Sequence, residues 1–112
     1  MQTNPSNPDP ADMLATLKIS TTTRRSYGGG GTWTSGSIDR HSFQALVFPE
    51  HAESASFELG TSRISKLWIK SQATGETVAN FDRGWDIEPT TDAAKTIVDL
   101  LAAGLAELIF GK

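Results

Sequence analysis

Two stretches in which apolar and polar residues alternate constrain the fold of this chain more than any other feature. They cover residues 64–70 and 76–81, and a short polar turn containing Gly75 joins them. A two-residue period is typical of a strand with one buried face, and two such runs around a turn predict a β-hairpin. Alternation sends Ser65, Leu67 and Ile69 to one side of the first strand, and Ile64, Lys66, Trp68 and Lys70 to the other.

Further strands are predicted before this hairpin. Residues 32–38 and 42–48 read as two strands around a turn at 39–41, and Pro49 ends the second. Residues 57–59 alternate in the same way and predict a short third strand. Gly84 predicts a bulge or a sharp exit from the last strand.

The C-terminal segment predicts a helix. Thr90 or Thr91 can cap its start, and Gly111 ends it. Apolar residues recur every three or four positions, as one helix face requires: Ala94, Ile97, Val98, Leu101, Leu105, Leu108 and Ile109. The element order predicts an α+β fold, in which an antiparallel meander of four to five strands is followed by one amphipathic helix packed on one face. Leu100 and Phe110 widen the apolar face, so we also expect self-association through this helix.

The first third of the chain has a different composition. Residues 1–12 are rich in proline, asparagine and aspartate, and four successive glycines end at Gly31. Such segments bury too little apolar surface to offset the entropy lost on ordering. We therefore expect a flexible head and linker over 1–31, with a short helix or edge strand at 13–20, and a single α+β domain over 32–112.

Composition limits the classes of function. The 112 residues contain no cysteine, which excludes disulfides and thiolate metal sites, and the net charge of −3 argues mildly against nonspecific nucleic-acid binding. The N-terminus lacks the features of a signal peptide, and the apolar run 100–110 is too short to span a bilayer. We expect a cytoplasmic protein without a cofactor and without a membrane partner.

The best candidate for a binding surface is the strand face that carries Lys66, Trp68 and Lys70, with Arg83 and Trp85 near its edge. Lysines on both sides of an aromatic ring suit base stacking combined with phosphate contact. The structural alternative packs Trp68 under the helix, with the lysine stems around it.

Four other side chains offer weaker candidates for a metal or catalytic site. His41 and His51 stand ten residues apart across a predicted strand, a spacing that does not bring them together. Asp82 and Asp86 are about 13 Å apart on a regular strand, too far to share a proton or a metal. A structural turn in which Arg83 pairs with an aspartate is the favoured interpretation.

Four motifs together resemble a small uncharacterised domain found in bacterial and phage-associated proteins. The resemblance covers roughly residues 32–90 and implies a β-rich domain followed by a helix, with no catalytic residue. It rests on Trp33-x-x-Gly36-x-Ile38, Phe43-x-Ala45-x-Val47, Arg63-Ile64-Ser65-Lys66-Leu67-Trp68-Ile69 and Phe81-Asp82-Arg83-Gly84-Trp85-Asp86.

The element order is also similar to that of PC4-like single-stranded DNA-binding domains, in which four antiparallel strands precede one helix and pack as dimers. This likeness is one of architecture only.

The sequence thus predicts a non-enzymatic binding or accessory domain, self-associating and bacterial or phage-related, with an unknown protein partner. Single-stranded nucleic-acid binding by the same strand face is the first alternative. A small metal-dependent hydrolase using His41, His51, Asp82 or Asp86 is the second.

Overall fold

The computed structural model describes residues 9–24 and 31–111. Two α-helices, six strands and one 3-10 turn make up this part of the chain. In chain order they are α1 (Pro10–Ala15), β1 (Lys18–Arg24), β2 (Thr32–Ile38), β3 (His41–Val47), the 3-10 turn (Ala55–Phe57), β4 (Ile64–Ser71), β5 (Thr77–Asp82), β6 (Trp85–Ile87) and α2 (Asp92–Phe110).

The strands form one antiparallel sheet in which each strand pairs with the next along the chain, in the order β1 to β6. The predicted α+β class, the meander and the C-terminal helix are confirmed. The predicted count of four to five strands was too low. β6 has only three residues and follows the tight turn at Arg83 and Gly84, where the sequence predicted a bulge or a sharp exit from the last strand.

Helix α2 packs its apolar stripe on the sheet as its period predicts, except that Leu108, predicted on the same stripe, is 58% exposed. Six of its residues are buried: Ala94, Ile97, Val98, Leu101, Leu105 and Ala106. At its start the Thr91 hydroxyl accepts a hydrogen bond from the Ala94 N–H at 3.0 Å, and Gly111 ends it in a left-handed conformation. The facing sheet residues are mostly aliphatic or aromatic, among them Phe43, Ala45, Leu67, Ile69 and Phe81. The core therefore lies between α2 and one face of the sheet.

The N-terminal segment joins this core. Met13 of α1 is 1% exposed and belongs to the same apolar cluster as α2. The element expected at 13–20 is a helix followed by a strand, and residues 21–24, which the sequence placed in the linker, continue strand β1. These β-branched threonines pair with β2, which supplies the ordering contacts that the linker prediction omitted. Residues 1–8 and 25–30, where the rest of the predicted head and linker falls, lie outside the described residues.

The connection between β3 and β4, residues 48–63, contains no strand among its described residues, so the prediction for 57–59 was wrong. A 3-10 turn precedes Glu58 and Leu59, which are buried, while Phe57 is 48% exposed. The Phe48 N–H donates to the Arg63 carbonyl at 2.9 Å, and the Leu59 N–H donates to the Ile64 carbonyl at 2.8 Å. These bonds hold the connection, which we call the β3–β4 loop, as a closed structure at the end of the sheet.

A bulge in β4 changes the predicted orientation of one side chain. Leu46 pairs with Lys66, but the next residue, Val47, pairs with Ile64, so the register skips Ser65. Ile64 is fully buried in the core cluster together with Val47. The prediction that Ile64 shares a face with Lys66 was wrong, because the extra residue reverses the alternation at that point.

Candidate functional site

The sheet surface that faces away from α2 carries most of the predicted binding residues, and we call it the outer face. Its central rows follow from the strand register. Three rows of side chains cross from β2 to β5. The first row consists of Trp33, Leu46, Lys66 and Asp82. The second consists of Ser35, Gln44, Trp68 and Asn80, and the third of Ser37, Ser42, Lys70 and Thr77. Apart from the two tryptophans and Leu46, the rows consist of polar and charged side chains.

Trp68 lies on this outer face and not under the helix. Its chain neighbours Leu67 and Ile69 are buried in the core, which sends the intervening side chain to the opposite side. The indole is half-buried, and its Nε1–H donates to the Thr77 hydroxyl at 3.0 Å. The ring is therefore held in one orientation, with part of its surface open to solvent.

The two predicted lysines differ in their surroundings. Lys66 Nζ lies 3.7 Å from Asp82 Oδ1, and both side chains keep more than a third of their surface exposed, so the pair contributes little to stability. Lys70 is exposed at the far end of the same strand. Both ammonium groups are accessible to a ligand on the outer face.

Where the β3–β4 loop meets the outer face, the two enclose a cavity of about 560 Å³. We call it the loop pocket. Apolar side chains of Leu46, Phe48 and Phe57 line it, and three cationic side chains, Arg63, Lys66 and Arg83, line it as well. Its remaining lining residues are Glu50, His51, Ala52, Glu53, Glu58 and Ser65.

Glu58 holds the loop in the shape that forms the pocket. Its carboxylate, 5% exposed, accepts hydrogen bonds from the Ala52 N–H at 2.6 Å and from the Arg63 N–H at 3.1 Å, and His51 Nδ1 lies 2.8 Å away. Burial alone raises the pKa of Glu58, but these hydrogen bonds and the His51 ring outweigh it and hold the pKa below the ordinary value. The negative charge of Glu58 is therefore stabilised by hydrogen bonds from the loop itself.

Arg83 and Trp85 occupy different surroundings, although both were predicted near the edge of one surface. The Arg83 guanidinium carbon lies 5.6 Å from the centre of the Phe57 ring, within cation–π range, at the loop pocket. Trp85 pairs with Phe81, and the two rings meet edge to face at 5.2 Å. Because Phe81 belongs to the core beneath α2, Trp85 lies on the helix side of the sheet edge. The structure brings Lys66, Trp68, Lys70 and Arg83 to one side and separates Trp85 from them.

The histidine and aspartate candidates are dispersed. His41 Nδ1 lies 2.7 Å from the Asp39 carbonyl oxygen of its own turn, and His51 belongs to the Glu58 cluster. Asp82 pairs with Lys66 instead of the predicted arginine, and Asp86 lies on β6. Within residues 9–24 and 31–111, no three His, Asp or Glu side chains are grouped so that they could hold a metal ion.

The helices and the central rows of the outer face differ in charge. Helices α1 and α2 together carry four carboxylates and one lysine: Asp12, Asp92, Asp99, Glu107 and Lys95. The three central rows of the outer face carry two lysines and one aspartate. The helices are therefore more acidic than these three rows, whose formal charge is +1.

Sequence analysis missed the loop pocket. His51 was predicted only as a weak metal or catalytic candidate, and Phe57, Glu58 and Arg63 were not predicted as site residues. The available signal was the spacing of acidic and basic residues on either side of Gly60, but nothing local shows that this segment folds against the sheet.

Comparison with known proteins shows that one family model matches the chain. A family model described as "Domain of unknown function (DUF7678)" matches residues 32–106, about two thirds of the chain. No curated protein and no solved structure matches the chain. No helix in the described ranges combines the length and the apolar character needed to cross a bilayer.

Proposed function

The chain belongs to the DUF7678 family of domains of unknown function, and we propose that it is a non-enzymatic binding domain whose contact surface is the outer face of its sheet. The partner we propose is a protein, in a bacterial or phage-related process in the cytoplasm. The bacterial and phage context rests on the resemblance carried by the motifs around Lys66 and Arg83.

One observation carries the proposal: the outer face gathers lysines and tryptophans that the core does not use. Trp33 is 38% exposed and Trp68 is half-buried, while Lys66 and Lys70 stand beside Trp68 on β4. Exposed tryptophan is enriched in binding surfaces, because flat rings supply contact area. Accessible lysines beside such a ring can add charge-assisted hydrogen bonds to a ligand. The opposite face is occupied by α2 and, through Met13, by α1.

The test is affinity capture from a host lysate with matched lysine variants. Lys66→Gln combined with Lys70→Gln removes both charges from the outer face. Lys95→Gln removes one exposed charge from α2 on the other side of the molecule. We expect a specific protein to be recovered by the wild type and by Lys95→Gln, and lost with the double variant. A partner retained by the double variant would place the contact surface elsewhere.

Single-stranded nucleic acid is a second candidate for the same face. The pair Trp33 and Trp68 with nearby lysines favours it, because stacking on aromatic rings with phosphate contacts is the usual mode of such binding. A salt titration against a labelled oligonucleotide tests it. Binding should weaken steeply with salt, and the double lysine variant should lower the slope of log K against log salt by roughly one for each lost phosphate contact. No binding at low salt would exclude this candidate.

Self-association is a further part of the proposal. The main apolar stripe of α2 is buried on its own sheet, but Leu108 near the end of α2 is 58% exposed and Leu14 of α1 is 47% exposed. These side chains offer a small apolar contact for a second copy. Sedimentation velocity should show a dimer for the wild type and a monomer for Leu108→Glu. Identical sedimentation of the two proteins would remove this part of the proposal.

A further inference from the structure

The loop pocket combines an apolar lining with cations, and this combination narrows the chemistry of a ligand. Leu46 and Phe48 come from β3 and the start of the β3–β4 loop, and Phe57 comes from the loop's 3-10 turn. Its volume of about 560 Å³ falls in the range typical of sites for small organic groups, roughly 300–1,000 Å³. An apolar group of the size of an aromatic ring would fill a large part of this space.

Two of the three cationic side chains, Lys66 and Arg83, stand on the sheet side of the pocket, while the Arg63 guanidinium donates to the Pro49 carbonyl at 3.0 Å. Lys66 is fixed by strand pairing with Leu46 and Asp82, and the Arg83 N–H donates to the Ser65 carbonyl at 2.9 Å, which ties the β5–β6 turn to β4. The Arg83 guanidinium lies against Phe57 and has no carboxylate within ion-pair distance among the described residues. A charge held over an aromatic ring beside an open cavity can accept an anionic group without first breaking an ion pair.

The carboxylates of the pocket set an upper limit on the charge of the ligand. Glu58 is bonded within the loop, but Glu50 and Glu53 are exposed on the loop side of the pocket, and Asp82 stands beside Lys66. A polyanion would meet these like charges together with the cations of the pocket. A ligand with a single negative charge can place that charge between Lys66 and Arg83, with its neutral groups beside the glutamates of the loop.

We infer that the loop pocket binds an apolar group that carries one carboxylate. The apolar group contacts Leu46, Phe48 and Phe57, and the carboxylate accepts charge-assisted hydrogen bonds from Lys66 and Arg83. Both a small organic acid and the C-terminal residue of a peptide have this chemistry. The inference rests on the proposed binding function, because Lys66 belongs to both the outer face and the pocket.

The experiment is an NMR titration of the ¹⁵N-labelled full chain with two pairs of probes. Phenylbutyrate and its neutral amide represent the free acid, and acetyl-glycyl-seryl-phenylalanine and its C-terminal amide represent a peptide end. In at least one pair the carboxylate should bind about fivefold more tightly than its amide, the order expected for partly exposed charge-assisted bonds. The shifted amide signals should be those of Leu46, Phe57 and Lys66. The pair that shows the difference identifies the source of the ligand.

Variants assign the effect to the two cations. Arg83→Gln and Lys66→Gln should each reduce the preference for the carboxylate over the amide, and together they should abolish it. Lys95→Gln, which removes an exposed charge on α2 away from both the outer face and the pocket, should leave it unchanged. The core amide signals report whether each variant keeps its fold.

Equal binding of acid and amide in both pairs, absence of binding by all four probes, or shifts located outside the pocket would overturn the inference. The proposed function fails on a different result, the retention of a captured partner by the double lysine variant. If the double lysine variant loses the captured partner and the NMR titration is negative, the proposed binding surface is supported and only the proposed carboxylate site is refuted.

Discussion

At the scale of single residues, Gly36 shows how closely two strands approach. A Cβ atom at this position would overlap the Lys18 carbonyl oxygen of β1 and lie 3.1 Å from the Phe43 ring. Since one of these neighbours is backbone and the other is a buried ring, neither can move at low cost. This close contact gives a physical reason for glycine in the motif that runs from Trp33 to Ile38.

Gly36→Ala should lower the free energy of unfolding by about 2–3 kcal/mol through this overlap. Gly104→Ala is the matched control, because Gly104 lies in α2 with nothing within 4 Å of an added Cβ. That substitution should stabilise the protein by up to about 1 kcal/mol through helix propensity. Urea denaturation followed by tryptophan fluorescence measures both. Equal effects of the two substitutions would show that β1 does not approach Gly36.

Glu58 gives the stability of the fold a dependence on pH. The folded-state pKa is lowered, so the stabilisation by the ionised carboxylate is complete above the unfolded-state pKa and is lost as the pH falls through the folded-state value. At neutral pH, Glu58→Gln should cost about 1–3 kcal/mol, because the part-buried N–H groups of Ala52 and Arg63 lose a charged acceptor. Denaturation midpoints at neutral pH and in the acid range should differ less in Glu58→Gln than in the wild type. An unchanged pH dependence in the variant would contradict the role assigned to this carboxylate.

At the scale of elements, α2 is stabilised both by a local N-terminal cap and by packing of its apolar stripe on the sheet. Its cap is local, because the Thr91 hydroxyl accepts from the Ala94 N–H within the first turn. Its position is tertiary, because the stripe from Ala94 to Ala106 is buried on the sheet. Most of the stability of such a helix comes from the buried stripe, and the cap adds a smaller separate contribution.

Thr91→Ala should therefore destabilise the protein by about 1 kcal/mol. Thr96→Ala is the control within the same helix, because the Thr96 hydroxyl donates to the Asp92 carbonyl, an interaction that does not stabilise a helix. We expect a change of less than about 0.5 kcal/mol for that variant. Thermal denaturation by circular dichroism compares them, and a larger loss for Thr96→Ala would refute the capping interpretation.

At the scale of the whole molecule, the N-terminal segment and the family-matched region share one core. The family model begins at residue 32, but Met13 is buried among residues of α2 and the sheet. The three tryptophans all lie after residue 32 and report on the matched region only. Their fluorescence can therefore show whether a change in α1 affects the remainder of the fold.

Met13→Ala should shift the urea midpoint of tryptophan fluorescence and cost about 2–5 kcal/mol, as expected for a large side chain removed from a core. Leu14→Ala, one residue further along α1 and 47% exposed, should change stability by less than about 0.5 kcal/mol. A fluorescence transition that is the same in Met13→Ala and the wild type would show that residues 9–24 fold apart from the sheet.

Local periodicity in the sequence is enough to predict several elements of this fold. The strands from Thr32 to Val47, the hairpin around Gly75 and the C-terminal helix all follow from alternation or helical spacing combined with turn and cap residues. Trp68, Lys66 and Lys70 were placed on one strand face for the same reason. Their role in binding stays a prediction.

The remaining features of the fold depend on contacts between distant segments of the chain. β1 is mostly polar and β6 is three residues long, so each becomes a strand only because a neighbour in the sheet offers hydrogen bonds. Ile64 turns inward because a bulge against Val47 shifts the register. The loop pocket exists because Glu58 gathers donors five to seven residues away and the loop they form lies over β4. None of these contacts produces a periodic pattern of residues in the sequence, so none could be predicted from such a pattern.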